Sequence, residues 1–249
     1  MRTTAPGSVP AAVVSVFAPT GRLRASINLG NPLLAGKDST GQPVGVSVDL
    51  ARGLAAELGV PLEFVIFDAA AKSVDAVKSG QADIGFFAID PLRGEGVRFS
   101  APYVQIEGAY LVREGSPLRD NAEVDRVDTR IMVGKGSAYD LFLSREIKAA
   151  QLLRAPTSPR VVDTFLAENA DVAAGVRQQL EADATRLPGL RLLPGRFMVI
   201  EQAMGVQANR GEAAHDVLKA YVESAKRSGM VAESLKRHGV KGAVVAPPA

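Results

Sequence analysis

Apolar and polar residues follow two rhythms along the chain, and the switches between them mark the elements. Leu23 to Leu29 (LRASINL) has the short apolar character of a strand and runs into a Gly/Asn/Pro break. After a second break, Gly41 to Gly45, the residues Ala51, Leu54, Ala55 and Leu58 recur at the spacing of one helix face. Ser47 is expected as the N-cap of that helix, Asp49 falls in its first turn, and Gly59 followed by Pro61 marks its stop. Leu62 to Phe67 reads as a strand and Lys72 to Lys78 as a short helix ending at Gly80. Asp83 to Ile89 (DIGFFAI) is the near-continuous apolar run of a buried parallel strand. This β–α–β–α–β order predicts α/β layers.

The rhythm then repeats. Tyr110-Leu111-Val112 is apolar, residues 113–129 are polar and irregular, and a lobe boundary is expected there. Ile131-Met132-Val133 leads into Gly134-Lys135-Gly136-Ser137, with Ser137 as N-cap and Asp140 at a capping-box spacing on a helix that carries Leu141 and Phe142. Leu152-Leu153 is a short strand, and Ser158-Pro159 opens a helix with Val162, Phe165 and Leu166 inward. Asp171 to Ala174, Gln178 to Arg186 and Leu190 to Leu193 follow as strand, helix and strand. Phe197 to Val206 is strand-like, and Ala214, Val217, Leu218, Tyr221, Val222 and Ala225 mark a long amphipathic helix stopped by Gly229. Met230 to Arg237 is a further short helix, and Ala243 to Ala249 is expected to be a loose end.

At the N-terminus, Ala11 to Ala18 is only about half a membrane span, preceded by a single positive charge at Arg2. The reading is a short helix, with Ser8 as N-cap, Pro10 near the first turn and Pro19 and Gly21 as the stop. A signal-peptide core is the other reading of the same run.

Composition narrows the chemistry. With 249 residues the chain can bury a sizeable core without staples. Its 29 Lys+Arg against 27 Asp+Glu leave a net charge of +2, too little to argue for a nucleic-acid or membrane surface. The absence of Cys removes thiol nucleophiles, disulfides and Cys–zinc sites, and the two His, His215 and His238, have no metal-ligand spacing around them. No cofactor or metal is expected.

Four groups of residues carry candidate chemistry. Arg93 follows the buried strand Asp83–Ile89, with Pro91 stiffening the loop; there it serves either as a carboxylate clamp or as a surface ion pair with Asp90 or Glu95. Gly134-Lys135-Gly136-Ser137-Ala138 joins a strand to a helix N-terminus, which gives either an anion site or ordinary capping. It lacks the Gly-Lys-Ser/Thr run of a phosphate loop and the third Gly of a dinucleotide fingerprint. Asn28 and Asn31 suit a polar ligand or a turn. Phe86 and Phe87 read as core, with one of them able to wall a cleft. Two α/β units with a short polar connection leave a crevice between them, a preferred place for small ligands.

These segments, taken in order, resemble the bacterial extracellular solute-binding proteins of family 3, the amino-acid-binding components of ABC importers. The resemblance runs from about Leu23 to Gly239. It is carried by Leu23–Asn28, Gly41–Leu50 (GQPVGVSVDL), Ala82-Asp83-Ile84-Gly85, Arg93 with Val97-Arg98-Phe99-Ser100-Ala101-Pro102-Tyr103, the turn ending Gly136-Ser137, and Ser228-Gly229-Met230. It implies an α/β, two-lobed periplasmic-binding-protein type II (Venus flytrap) fold, each lobe a mostly parallel sheet flanked by helices. Lobe one is expected from residues 20–111 with 203–249, lobe two from 112–202, and 1–19 as an extension.

By the same resemblance Arg93 holds a ligand carboxylate, with Ser137 and its neighbouring N–H groups as the contact from lobe two. Val176, followed by Arg177, stands where the family usually carries an Asp for the ligand ammonium. Asn31 stands where an aromatic often covers the ligand, and Gly85, Phe86 and Ala88 replace serine-rich contacts. The expectation is therefore an organic acid or dicarboxylate rather than a standard amino acid, held by Arg93 and Ser137 at one end and by Arg177, Lys135 or Tyr139 at the other. Asn28, Asn31, Phe86, Ala88 and Gly136 complete the expected site. The implied partners are a small carboxylate and the ABC permease subunits of the inner membrane, with the protein a monomer that binds no nucleic acid. The implied location is periplasmic; because no leader is read at the chain start, a leader-less start or a protein that stays inside are the two options. The competing class is an enzyme on the same fold, a prephenate or arogenate (cyclohexadienyl) dehydratase-like lyase, which needs a general acid in the cleft; Asp90, Asp140 and Glu201 are its nearest candidates.

Overall fold

The computed structural model describes residues 9–249. In chain order its elements are α1 (Ala11–Phe17), β1 (Leu23–Asn28), β2 (Gly36–Lys37), β3 (Pro43–Val44), α2 (Val46–Leu58), β4 (Leu62–Phe67), α3 (Ala70–Lys78), β5 (Ile84–Ala88), α4 (Pro91–Gly94) and β6 (Val97–Arg113). They continue with β7 (Arg130–Gly134), α5 (Ala138–Glu146), β8 (Gln151–Ala155), α6 (Val161–Ala167), β9 (Val172–Val176), α7 (Arg177–Arg186), β10 (Leu190–Leu192), β11 (Met198–Gln207), α8 (Glu212–Arg227), α9 (Met230–Arg237) and β12 (Val244–Val245).

The two α/β rhythms form opposite ends of one mixed sheet, in the order β4-β1-β5-β11-β6-β9-β7-β8. At one end β1 pairs in parallel with β4 and β5; at the other β7 pairs in parallel with β8 and β9. Between them run the antiparallel strands β6 and β11. The first part of β6 lies along β11, and residues 108–111 then pair with β9. Both boundaries expected from the sequence, after 111 and after 202, therefore fall within strands that pass between the two ends. Where β11 shifts register near Ala203, Pro102 stands opposite and can donate no ladder bond. Ser100 Oγ fills the gap by accepting from the Met204 N–H at 3.0 Å.

The helix face read from Ala51, Leu54, Ala55 and Leu58 is buried as its spacing requires, and Leu54 is wholly enclosed. Truncation of such a side chain to Ala costs about 2–5 kcal/mol. Asp83 opens β5 and is also wholly buried. Its carboxylate accepts from Arg24 Nη2 at 2.8 Å, from the Arg24 backbone N–H at 2.9 Å and from Arg210 Nη2 at 2.9 Å. Arg210 reaches on to the Val16 carbonyl, so one acid ties β1, the loop before α8 and α1 together. The pairing also raises the Arg24 guanidinium above its ordinary range, Asp83 being the main cause.

Several expectations are corrected. The N-cap of α2 is Gly45, not Ser47: a φ of 125° suits Gly, and a Cβ there would strike the Leu34 carbonyl. The helix expected from Ser158 begins as a 3-10 turn, Ser158–Arg160, and becomes α-helical only at Val161. Leu166 faces solvent, because the short α6 offers the sheet only Val161, Val162 and Phe165. The loose C-terminal end is docked: β12 pairs with β6, Ala246 is buried, and Lys226 Nζ donates to the Pro247 carbonyl at 2.8 Å. The helix read near residue 11 is present as α1; Ser8, its expected cap, lies outside the described residues.

Candidate functional site

Arg93 sits in α4, a single helical turn set by Pro91 at its start and by Asp90, whose carboxylate caps the Leu92 N–H at 2.9 Å. The turn sends the Arg93 side chain back over the C-terminal end of β5. Only 5% of the residue is exposed. Nη1 donates to the Ala88 carbonyl and Nη2 to the Gly136 carbonyl, each at 3.1 Å. Neither reading of Arg93 as a surface ion pair holds, because Asp90 spends its second oxygen on Arg145 Nη1 at 2.9 Å. Among the described residues no carboxylate lies within ion-pair distance of Arg93, so its charge is buried against two neutral carbonyls. Burial accordingly pulls its pKa down to about 10, opposed by the nearby Asp90.

Gly136 comes from the turn between β7 and α5. Its φ of 70° and the Ala71 Cβ, 2.7 Å from where a Cβ would stand, both require glycine. Half of the capping box forms: Ser137 Oγ accepts from the Asp140 N–H at 3.0 Å, but Asp140 accepts from the Gly136 N–H at 2.8 Å, one residue before the cap, because the Ser137 N–H donates to the Gly134 carbonyl. Arg154 holds the same carboxylate at 3.0 Å. This capping uses the Gly136 and Asp140 N–H groups that the anion-site reading left free. The first-turn N–H groups of Ala138 and Tyr139, which have no carbonyl one turn back within the helix, remain beside Arg93.

The space in front of Arg93 is a cavity of about 50 Å³. The C-terminal end of β1 and the loop after it supply Asn28, Gly30, Asn31 and Leu34, while β5 supplies Phe86, Phe87 and Ala88. From across the cleft come Ser137, Ala138, Tyr139 and Ser158, with Val176 at the start of α7. Ile200 and Gln202 project from β11, and Ser47 from the first turn of α2. Burial pushes the Tyr139 phenol up to about 12, so the hydroxyl keeps its proton. Asn28 is part turn residue, its Oδ1 accepting from the Gly30 N–H at 2.8 Å. Among the described residues that line the cavity, Arg93 carries the only formal charge.

The structure thus brings Arg93, Ser137, Asn28, Asn31, Phe86, Ala88 and Tyr139 to one cavity. Gly136 is not part of the lining; it meets the site only through the carbonyl that receives Arg93. Two expected residues are elsewhere. Lys135 is exposed, because its N–H donates to the Ala155 carbonyl and the turn faces its side chain outward. Arg177 Nε pairs with Glu107 at 2.8 Å, and Nη2 donates to the Gly195 carbonyl. Arg177, with Arg196 on the other oxygen, holds the Glu107 carboxyl below its usual range. Of the three carboxylates considered as a general acid, Asp90 and Asp140 are capped and paired as above. Glu201 lies on the opposite face of β11 from Ile200 and Gln202, where it accepts from Gln105.

Sequence reasoning missed Ser47, Gln202, Ile200 and Ser158 as lining. Ser47 was hidden by its reading as a cap. The signal for Gln202 was present: a single amide within the apolar run of β11, in phase with buried Ile200.

The model of the bacterial extracellular solute-binding proteins, family 3, matches residues 23–241. The chain belongs to that family. Comparison with curated protein sequences returns no match. Among solved structures, this family 3 protein is similar to the solute receptor for L-cysteine of Neisseria gonorrhoeae, with 24% identity and a TM-score of 0.77 over 92% of this chain and 94% of that one. It is also similar to the amino acid ABC transporter substrate-binding protein AbpA of Streptococcus pneumoniae bound to L-arginine. There the identity is 18% and the TM-score 0.76, over 90% of this chain and 97% of that one. A third is the ancestral amino-acid-binding protein AncCDT-1, a precursor of cyclohexadienyl dehydratase. It shows 20% identity and a TM-score of 0.74 over 90% of this chain and 98% of that one. At these identities the likeness speaks to the fold, the two-lobed α/β architecture of periplasmic binding proteins. No helix among the described residues is long and apolar enough to cross a membrane.

Proposed function

We propose that this family 3 protein is the solute-capture component of an ABC importer and that it takes a small carboxylate-bearing solute into the cavity in front of Arg93. The observation that carries this reading is the buried Arg93 guanidinium, faced only by carbonyls and open to the cavity. A buried cation without an anion is costly, and a bidentate carboxylate removes that cost while fixing the solute's orientation. Ser137 and the N–H groups of Ala138 and Tyr139 supply donors to the same carboxylate from the other side.

The lobes, 20–111 with 203–249 and 112–202, close about β6 and β11, the strands that pass between them. Membership of the family supports capture outside the inner membrane and docking of the closed form on permease subunits. The enzyme reading needs an acid in the cavity. Asp90, Asp140 and Glu201 are all engaged elsewhere, which favours binding over catalysis.

The test is isothermal titration with a panel of small carboxylates. Micromolar binding of a carboxylate that is abolished in Arg93→Met supports the reading. A ligand that binds Arg93→Met as tightly as the wild type refutes it.

A further inference from the structure

We infer that the solute carries one carboxylate and no amine: a small hydroxy or oxo acid, rather than an amino acid or a dicarboxylate. This rests on the capture reading above and deepens it.

The cavity's charge inventory is the starting point. With Arg93 as its only charged lining residue among those described, the site neutralises one negative charge. A second carboxylate on the solute needs a second cation. The basic groups flanking the lining in sequence do not provide it: Lys135 and Arg160 are exposed, Lys72 pairs with Asp68, and Arg177 is committed to Glu107 and Gly195. A dicarboxylate would bury one charge unpaired, which is strongly unfavourable.

An ammonium meets the converse difficulty. No Asp or Glu lines the cavity among the described residues. Val176, a buried apolar side chain on the wall opposite β5, can offer an ammonium nothing. The acids around the site are spent: Asp90 on Arg145 and the Leu92 N–H, Asp140 on Arg154 and the Gly136 N–H, Glu107 on Arg177 and Arg196. An α-ammonium would share this small cavity with the Arg93 cation.

What remains on the walls suits a neutral oxygen. Asn28, Asn31, Gln202, Ser47 and the protonated Tyr139 hydroxyl can donate to or accept from a hydroxyl or carbonyl group. Val176, Ile200, Leu34 and Phe86 can cover a short alkyl chain. The cavity, about 50 Å³, suits a short acid.

The decisive experiment is titration of the wild-type protein with four acids matched in size: 2-hydroxybutyrate, 2-oxobutyrate, 2-aminobutyrate and malonate. Binding of the hydroxy or oxo acid at least a hundredfold tighter than both the amino acid and malonate supports the inference. Equal or tighter binding of 2-aminobutyrate or malonate overturns it while leaving carboxylate capture intact. Binding of none of the four overturns the inference, whereas the capture reading is decided separately, by the wider carboxylate panel and Arg93→Met. A second measurement uses Val176→Asp, checked for a wild-type melting profile. Placing an acid on the wall should raise affinity for 2-aminobutyrate at least tenfold and lower it for 2-hydroxybutyrate. If a folded Val176→Asp leaves both affinities unchanged, Val176 does not set the choice between amine and hydroxyl.

Discussion

Arg93 and Gly136 stand on opposite sides of the cleft, 43 residues apart in sequence, and the Arg93 guanidinium donates to the Gly136 carbonyl at 3.1 Å. The side chain proposed to hold the solute is thus also a fastener between the two ends of the sheet. Asp90 and Arg145 make a second fastening beside it at 2.9 Å. Solute binding and closure therefore share residues, and four predictions separate their contributions.

Arg145→Ala removes the crossing ion pair without touching the cavity wall. Its guanidinium is 43% exposed but Asp90 only 4%, so the loss lies between the scale of a surface bridge, about 0.2–1 kcal/mol, and that of stranding a buried carboxylate, about 3–5 kcal/mol. Solute affinity should fall by about fivefold or more, and the loss should shrink as salt rises. Titration at low and high ionic strength checks this.

Gly136→Ala should weaken binding more than it weakens folding. The new methyl meets Ala71 across the cleft, 2.7 Å away, in the closed arrangement. The left-handed backbone adds strain of about 1 kcal/mol or more. Ala71→Gly in the same chain should recover part of the affinity but none of the backbone cost. A double-mutant cycle on dissociation constants and melting temperatures reads both terms.

Asp83→Asn should destabilise the fold by about 3–5 kcal/mol, the scale for removing one partner of a buried pair. Arg24 and Arg210 would be left facing a neutral amide in a buried setting. Solute affinity in the folded fraction should be unchanged, since Asp83 lies away from the cavity walls. Urea unfolding monitored by circular dichroism, with titration alongside, checks both halves.

Carboxylate affinity should be flat from about pH 6 to 9 and should fall above about 10. Binding uses the charged guanidinium, and burial has brought its pKa down to about 10. Between that value and its ordinary one, the unfolded chain binds a proton that the unliganded fold releases, so this group favours folding more as pH rises there. The solute reverses the sign by stabilising the protonated form. Affinity measured at pH 7, 9 and 10.5 tests the pattern.

Much of this was legible in the sequence because periodicity and punctuation agreed. The face of Ala51, Leu54, Ala55 and Leu58, the run from Asp83 to Ile89 and the Ser137 N-cap each stated one local structure, and the fold contains all three. Arg93 was legible by position, just past a buried strand. What failed depended on distant partners. No local pattern says that Arg177 will meet Glu107, 70 residues earlier, rather than the cleft. Ser47 reads as a cap from its neighbours, and only the packing of Leu34 against the Gly45 turn moves the helix start and turns Ser47 to the cavity. The C-terminal end reads as loose because Val244–Val245 is too short to declare itself a strand without β6 beside it.

In the proposed capture, Arg93 neutralises a solute carboxylate. The most direct measurement is the dissociation constant of the best-binding small monocarboxylate for wild-type protein and for Arg93→Met. Removing one member of a buried charge pair costs about 2–5 kcal/mol. Wild-type binding should be micromolar, and weakened at least about thirtyfold in an Arg93→Met protein that still folds. Equal affinity in the two proteins would contradict it.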